Sequence, residues 1–592
     1  MRTRLLISSI LLLSLTNLSA QKKLSADITI NDLKTQLYYL ASDSLGGRFP
    51  GTKGDQLAAK YIATSFKNAG LSLYNKTGFQ NFDVLTRQEL GKKNTLTIDG
   101  AKMKLKSDFA PFPFSGNGKA EGEAIFAGYG FDIKNDTFQW NDYAGLDVKG
   151  KIVLLLRGMP ESLKYESLFD SYSDEIVKAI NARDKGASAV IFVSGSKYDP
   201  TEKFPQMNLR ESSAGIPVFQ VKRDVANKML ASGGINTEAY ENKIKGDFKP
   251  LSVALKSKIS LNSEIVKIKA TTHNVVGYVF AGDTSKVKSY IVIGAHYDHL
   301  GMGGMGSSSR IQDTVAVHNG ADDNASGVTV LLELAAKFQQ EREKLKHNLV
   351  FVAFSAEEMG ILGSKYFTEH APVPVKAIKA MINLDMVGRL KEDTLLQVNG
   401  TGTSEEAVDL INKINGNYKF NLRMAPEGYG PSDHAAFYGK NIPVFFITTG
   451  AHTDYHTPMD DREKINFAGM EKVANFTGEL LSELAFSGPM LTFQEAGPQQ
   501  GTGSSRRFRV TFGIMPDVNG TVENGLLVEF VTKGKPAYNG GMQKGDIITS
   551  VDGKPVKNIQ DYMVRLSQVK AGQSVNVEVL RNNKKELLII QL

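Results

Sequence analysis

Short apolar runs broken by polar punctuation alternate with segments of helical spacing through the centre of the chain. The runs at 289–294, 348–355, 380–385 and 443–448 are short and rich in Ile, Val, Phe and Ala, which predicts buried strands. Between them, 327–340 and 405–414 repeat apolar residues at helical intervals. That alternation over 262–487 predicts an α/β domain, its mostly parallel or mixed sheet covered by helices on both faces. Upstream, 21–114 opens with a predicted helix over 30–41 and a Gly/Pro-rich loop over 43–54. A second predicted helix, 55–69, carries Leu57, Ala58, Tyr61, Ile62 and Phe66 on one face and stops at Gly70. Short strands are expected at 95–98 and 103–105. Residues 115–255 change character, with expected strands at 124–130, 151–157, 189–193 and 216–221 and one helix over 173–186. The Gly, Pro, Gln and Ser of 488–506 predict a linker. Residues 507–592 form a last small strand-rich domain with one helix near 559–569.

A chain of 592 residues is too long for one hydrophobic core, which agrees with these divisions. The extreme N-terminus departs from the globular pattern. Met1-Arg2-Thr3-Arg4 is basic, 5–18 is apolar, and Leu18-Ser19-Ala20 offers small residues before Gln21, so 1–20 is expected to be a secretory signal peptide cleaved after Ala20. No later run is long enough to span a bilayer, and no membrane span is expected in the mature protein. A net charge of +7 without a dense basic block makes nucleic acid an unexpected partner. The absence of cysteine excludes disulfides and thiolate ligands. A large exported chain without disulfides fits a bacterial periplasm or exterior, and any metal must be held by His and carboxylate.

All nine histidines lie between His273 and His456. The acidic and imidazole groups recur just past the ends of predicted strands, where open α/β sheets place their sites. His296 follows 291–295, Glu357 and Glu358 follow 350–355, Asp385 follows 381–384, and His456 lies in the loop beyond 444–449. Asp323 precedes a helix whose N-terminus favours an anion. Imidazole with carboxylate suits Zn²⁺ in a water-holding site, and carboxylates in excess of histidines favour two ions with one carboxylate between them. Asp298, two residues beyond His296, can accept the ring's other N–H and fix its tautomer. Neighbouring side chains diverge, so Glu358 is assigned to metal and Glu357 to a water as general base. His299 and Asp322 stay open. His318, His434, His452 and Asp454 lie near the site in sequence, whereas His273, His347 and His370 read as structural or surface groups.

The segments GAHYDHLG, GADDNASGV, FSAEEMGILGS, NLDMVGR and YHTPMDD, in this order, resemble the motifs of the di-zinc aminopeptidase family. The N-terminal loop GRFPGTKG is similar to that family's opening segment. The resemblance implies a zinc exopeptidase-like fold and two Zn²⁺ per chain. His296 and Asp385 would hold one ion, Glu358 and His456 the other, and Asp323 would bridge them. It further implies Glu357 as base, Tyr455 as an oxyanion-stabilising group, and peptides with a free N-terminus as substrates. A carboxypeptidase or dipeptidase on the same zinc chemistry is the alternative, with Arg389 or Arg423 meeting the substrate carboxylate; another is an inactive peptide-binding protein. Residues 115–255 resemble the protease-associated (PA) domain, through Phe126-Ala127-Gly128-Tyr129-Gly130, 142–151 and Lys185-Gly186-Ala187. Residues 507–592 resemble a PDZ domain, with Thr511–Met515 as its carboxylate-binding loop, which implies a C-terminal peptide as ligand.

Overall fold

The computed structural model describes residues 27–592 apart from 135–137, 162–165, 210–211, 283–286, 487–490, 497–509, 518–521 and 523. The expected signal peptide, 1–20, lies outside the described residues, as does most of the expected linker. No described helix is long and apolar enough to cross a membrane.

Strand Tyr290–His296 lies at the middle of a nine-stranded mixed sheet. It runs parallel to Asn348–Phe354 on one side and Ile378–Leu384 on the other, and Val444–Thr448 continues the parallel run. Ile265–Val279 joins antiparallel at one flank, and Leu395–Asn399 joins antiparallel to Val444–Thr448 at the other. The central strands are buried on both faces. Ile291, Ile293 and Ala295 enter one core beneath helices Ile30–Leu40, Lys53–Asn68, Gly327–Gln340 and Phe467–Phe486, while Val292 enters the other with Phe367 and Phe437. Uninterrupted Val, Ile and Phe runs are what two-sided burial requires.

Helices Ile30–Leu40 and Gly327–Gln340 meet through a buried polar pair in which Gln36 Nε2 donates to Glu333 Oε1. Burial, then the charge of Asp32, push the Glu333 carboxyl up to about 8. A carboxyl raised in the folded state contributes stability that is full below its unfolded value and lost as pH climbs through the folded one. Glu333→Gln is therefore expected to stabilise the protein by about 1–2 kcal/mol near pH 8 and by little near pH 5. Thermal melts at the two pH values check this; equal shifts at both would remove the ionisation as cause.

The inserted module is an eight-stranded sheet whose middle strands, Gly118–Phe126, Ile152–Leu156, Ala189–Val193 and Val218–Val221, carry the strand pattern of 115–255. The sheet also takes in Thr95–Ile98 and Phe109–Pro111, which the sequence reading assigns to the N-terminal segment, and Val253–Ser263. The expected strand at 103–105 is instead Ala101–Lys102. Two long antiparallel strands, Phe79–Leu90 and Ile265–Val279, form the stalk that leaves and re-enters the central sheet. The C-terminal module pairs Ile514–Pro516, Leu526–Val531, Ile547–Val551, Ser574–Arg581 and Lys584–Gln591, with helix Ile559–Gln568 packed on them. Part of the expected linker is not loose: Gln494 N–H donates to Thr403 O at 3.0 Å and Ala496 N–H to Tyr438 Oη at 2.8 Å.

Candidate metal centre

Parallel pairing aligns the strand ends. His296 lies level with Phe354, and Gly294 with Asn383, so Glu357, Glu358 and Asp385 emerge at one edge beside His296. The turn 320–326 brings Asp323 to the same edge, and the loop after Thr448 brings His456. His296 Nε2 stands 3.2 Å from Asp323 Oδ1 and 3.5 Å from Asp385 Oδ1. His456 Nε2 stands 3.3 Å from Asp323 Oδ2 and 3.1 Å from Glu358 Oε2. Asp323 thus turns one oxygen toward each imidazole. Tetrahedral ligands about 2.0–2.1 Å from a zinc ion lie about 3.3 Å from each other, and these spacings agree.

Glu357 Oε2 is farther out, 3.9 Å from His296 Nε2. Burial pushes its carboxyl well above the ordinary range, and the charges of Asp433, Glu358 and Asp385 add to this against the pull of His296. Burial opposes the charged form of His296, yet Asp385 and Glu357 outweigh it and hold the ring well above its usual pKa. His456 is likewise raised, to about 10, against burial, by the carboxylates of Asp323 and Glu358. The carboxylates of Asp323, Glu357, Glu358 and Asp385 outnumber the two imidazoles that face them, and divalent cations balance such a buried set. The imidazole and carboxylate donors fit zinc. His456 Nε2, despite its short approaches, makes no hydrogen bond, as a nitrogen facing a cation would not.

Supporting groups fix these donors from several segments. Asp298 departs from its expected task. His296 Nδ1 lies nearer the Asp298 carbonyl, at 3.3 Å, than its carboxylate, at 3.6 Å. The Asp298 carboxylate instead accepts the backbone N–H of Glu357 at 3.1 Å and of Glu358 at 3.3 Å, and so holds the turn that presents both glutamates. His299 Nδ1 is 2.7 Å from Glu358 Oε1, which settles its place beside the second imidazole. Ser432 donates to Asp385 Oδ2 at 2.7 Å. Asp322 points away, accepting from Gly388 N–H at 2.6 Å and facing His452 at 3.3 Å. Tyr455 stacks on His456 with ring centroids 3.8 Å apart; burial and then the carboxylates of Asp323 and Glu358 raise its phenol.

Besides Ser432, two functional supports escaped the sequence reading. Asp460 Oδ2 accepts the N–H groups of Asp322 and Asp323 at 2.9 and 3.0 Å, fixing the bridging carboxylate from the far end of YHTPMDD. Arg48, buried in the GRFPGTKG loop, donates to the carbonyls of Tyr297 and Asn319 at 2.6 Å and Gly320 at 3.1 Å. Their signal was only their presence in motifs already noted. Arg48, Ala356, Met386 and His456 all have φ between 51° and 57°. Left-handed backbone at non-glycine residues costs about 1–3 kcal/mol each, and these four stand at turns that aim the site.

Of the other histidines, His318 bonds Ser309 within the loop beside His456, and His434 is buried against Phe446 with its pKa lowered to about 3 by burial. His273 stacks on Phe79, His347 meets Ser289, and His370 stacks on Tyr366. Arg389 Nη2 is paired with Asp454 at 2.8 Å, while its buried Nε makes no hydrogen bond, and Arg423 lies exposed on strand Asn421–Ala425.

Residues 274–481 match the model of peptidase family M28, residues 119–229 that of the PA domain and residues 511–592 that of the PDZ domain. By these matches residues 274–481 form a peptidase family M28 domain, with a PA domain before it in the chain and a PDZ domain after it, and the protein is a metal-dependent peptidase. It is similar to aminopeptidase YwaD of Bacillus subtilis, 28% identical over 436 residues that span 72% of this chain and 78% of that one. Leucine aminopeptidase 1 of Uncinocarpus reesii is 30% identical over 214 residues, 33% of this chain and 52% of its own. Among solved structures, BSAP, a zinc aminopeptidase from Bacillus subtilis, aligns over 79% of this chain and 98% of its own at 23% identity with a TM-score of 0.46.

Proposed function

We propose that the protein is an exported aminopeptidase that uses two zinc ions and Glu357 to remove N-terminal residues from peptides. The observation that carries this reading is Asp323, whose two oxygens face His296 and His456 separately. His296 and Asp385 would hold one ion, Glu358 and His456 the other, with Asp323 common to both. When bound, such a pair supplies Lewis acidity, lowering the pKa of a water and polarising a carbonyl.

The chain's own groups do the rest. Glu357 takes a proton from the attacking water, and its raised basicity suits that role. It then returns the proton to the leaving amine. Asp298 keeps Glu357 and Glu358 diverging by binding both of their amides. The Tyr455 hydroxyl, kept protonated, donates to the oxyanion. Of the two cations a carboxypeptidase would draw on, Arg389 is already paired with Asp454 at 2.8 Å, and Arg423 lies exposed on strand Asn421–Ala425.

The test assays the zinc-loaded protein from periplasmic and culture fractions on one peptide in free, N-acetylated and C-amidated forms. N-acetylation is expected to abolish cleavage and C-amidation to leave it. The reverse pattern overturns the aminopeptidase assignment, and recovery from the cytoplasm alone overturns export.

A further inference from the structure

The PDZ module touches both other modules, and it does so with buried charge. Helix Ile559–Gln568 faces helix Glu175–Asp184 of the PA domain. Across that contact Arg183 pairs with Asp561 at 2.8 Å and Arg565 with Asp184 at 2.5 Å. Asp561 is wholly buried and the Arg565 side chain is 1% exposed. Asn558 and Gln568 extend the line, donating to Ser213 O at 3.3 Å and Asn181 Oδ1 at 3.4 Å. Residues 558, 561, 565 and 568 recur at helical intervals, so one face of the PDZ helix is committed to the PA domain.

Other residues of the module grip the catalytic domain. Lys365 pairs with Glu529 at 2.8 Å and lies 3.5 Å from Asp517. Phe530 packs edge-on to Tyr429, centroids 5.1 Å apart. Lys365 belongs to helix Leu362–Glu369, which follows the Glu357–Glu358 turn directly. The PA domain in turn reaches the mouth of the site. The carbonyl of Met207 lies 3.6 Å from where a Cβ on Gly306 would stand, and that loop binds His456 through Arg310 N–H to His456 O at 2.9 Å.

We propose that the PDZ module is a clasp that ties the PA domain to the catalytic domain, holding the PA segment around Met207 at the mouth and thereby limiting the length of peptide admitted. The limit on peptide length rests on the aminopeptidase reading; the clasp itself does not. Groups that hold two bodies together through paired buried charges lose that hold when one sign is reversed and regain it when both are exchanged. In wild type each helix carries one charge of each sign at the contact. Exchanging Asp184 and Arg565 leaves two cations on the PA helix facing two anions on the PDZ helix.

The experiment uses the full-length, zinc-loaded chain with Arg565→Asp, Asp184→Arg and the double exchange. Hydrolysis of leucine para-nitroanilide is compared with that of a long unstructured peptide beginning with leucine. Each single variant is expected to raise kcat/KM for the long peptide relative to the nitroanilide by about fivefold or more, the scale of a coupled pair, at unchanged zinc per chain. The double exchange is expected to restore the wild-type ratio. An unchanged ratio in the single variants, or no restoration in the double, overturns the proposed limit on length. Hydrogen exchange is read on the same proteins. Lost protection of helix Glu175–Asp184 in the single variants and its return in the double support the clasp; protection retained in the single variants overturns it, even if the wild type cleaves neither substrate.

Discussion

Glu357→Gln is expected to keep the zinc and lose turnover by about 10³-fold or more, the upper range for removal of a general base. The substitution keeps the side chain's shape and removes only its ability to take a proton. Glu357 lies farther from the imidazoles than the other carboxylates, 3.9 Å from His296 against 3.1–3.5 Å for Asp323, Glu358 and Asp385. It is therefore the carboxylate whose loss should least disturb the ions. Its main-chain N–H remains tied to Asp298, so the loop keeps its path. Zinc per chain by elemental analysis, together with single-turnover rates, separates the two properties. A variant within tenfold of wild type would remove Glu357 as the base, and one that lost its zinc would make it a ligand.

The parts of the site that were readable in the sequence are those where a strand runs straight into a chemical group. Val292-Ile293-Gly294-Ala295-His296 and Met381-Ile382-Asn383-Leu384-Asp385 announce both the buried strand and the donor at its end, and parallel pairing then forces the ends together. Asp460, Arg48 and Ser432 were not readable in this way. They act by hydrogen bonds across the chain, Asp460 on amides 137 and 138 residues away, and no local pattern marks such a partner. Asp298 illustrates the same limit, since spacing placed it beside His296 while its carboxylate is taken by the glutamate amides of another strand end. The fold follows a similar rule. Strand Val253–Ser263 is buried at alternate residues, but Ser257 and Ser263 share the inward face with Leu255, Ile259 and Leu261, which dilutes its apolar period. The module boundary was blurred for that reason, and strands near 95–111 could not be assigned to the sheet they complete.

Asp323→Ala is expected to remove both ions rather than one, because the same carboxylate faces the His296–Asp385 pair and the His456–Glu358 pair. Each half-site would keep one imidazole and one carboxylate, fewer than the three protein ligands that catalytic zinc sites use. Zinc is expected to fall below one per chain and activity by more than about 10³-fold. The energetic consequence has a second signature. A cation that binds only the folded state stabilises it by mass action, so added zinc should raise the melting temperature of the wild type and leave the variant unmoved. Without zinc the variant is expected to be no more stable than the wild type, because against the cost of burial His296 and His456 hold the Asp323 carboxyl well below its ordinary range, so the charged form already contributes to stability near neutral pH. A variant that kept two zincs and the full thermal shift would show that Asp323 is not the shared ligand, and the two half-sites would have to be held by separate carboxylates.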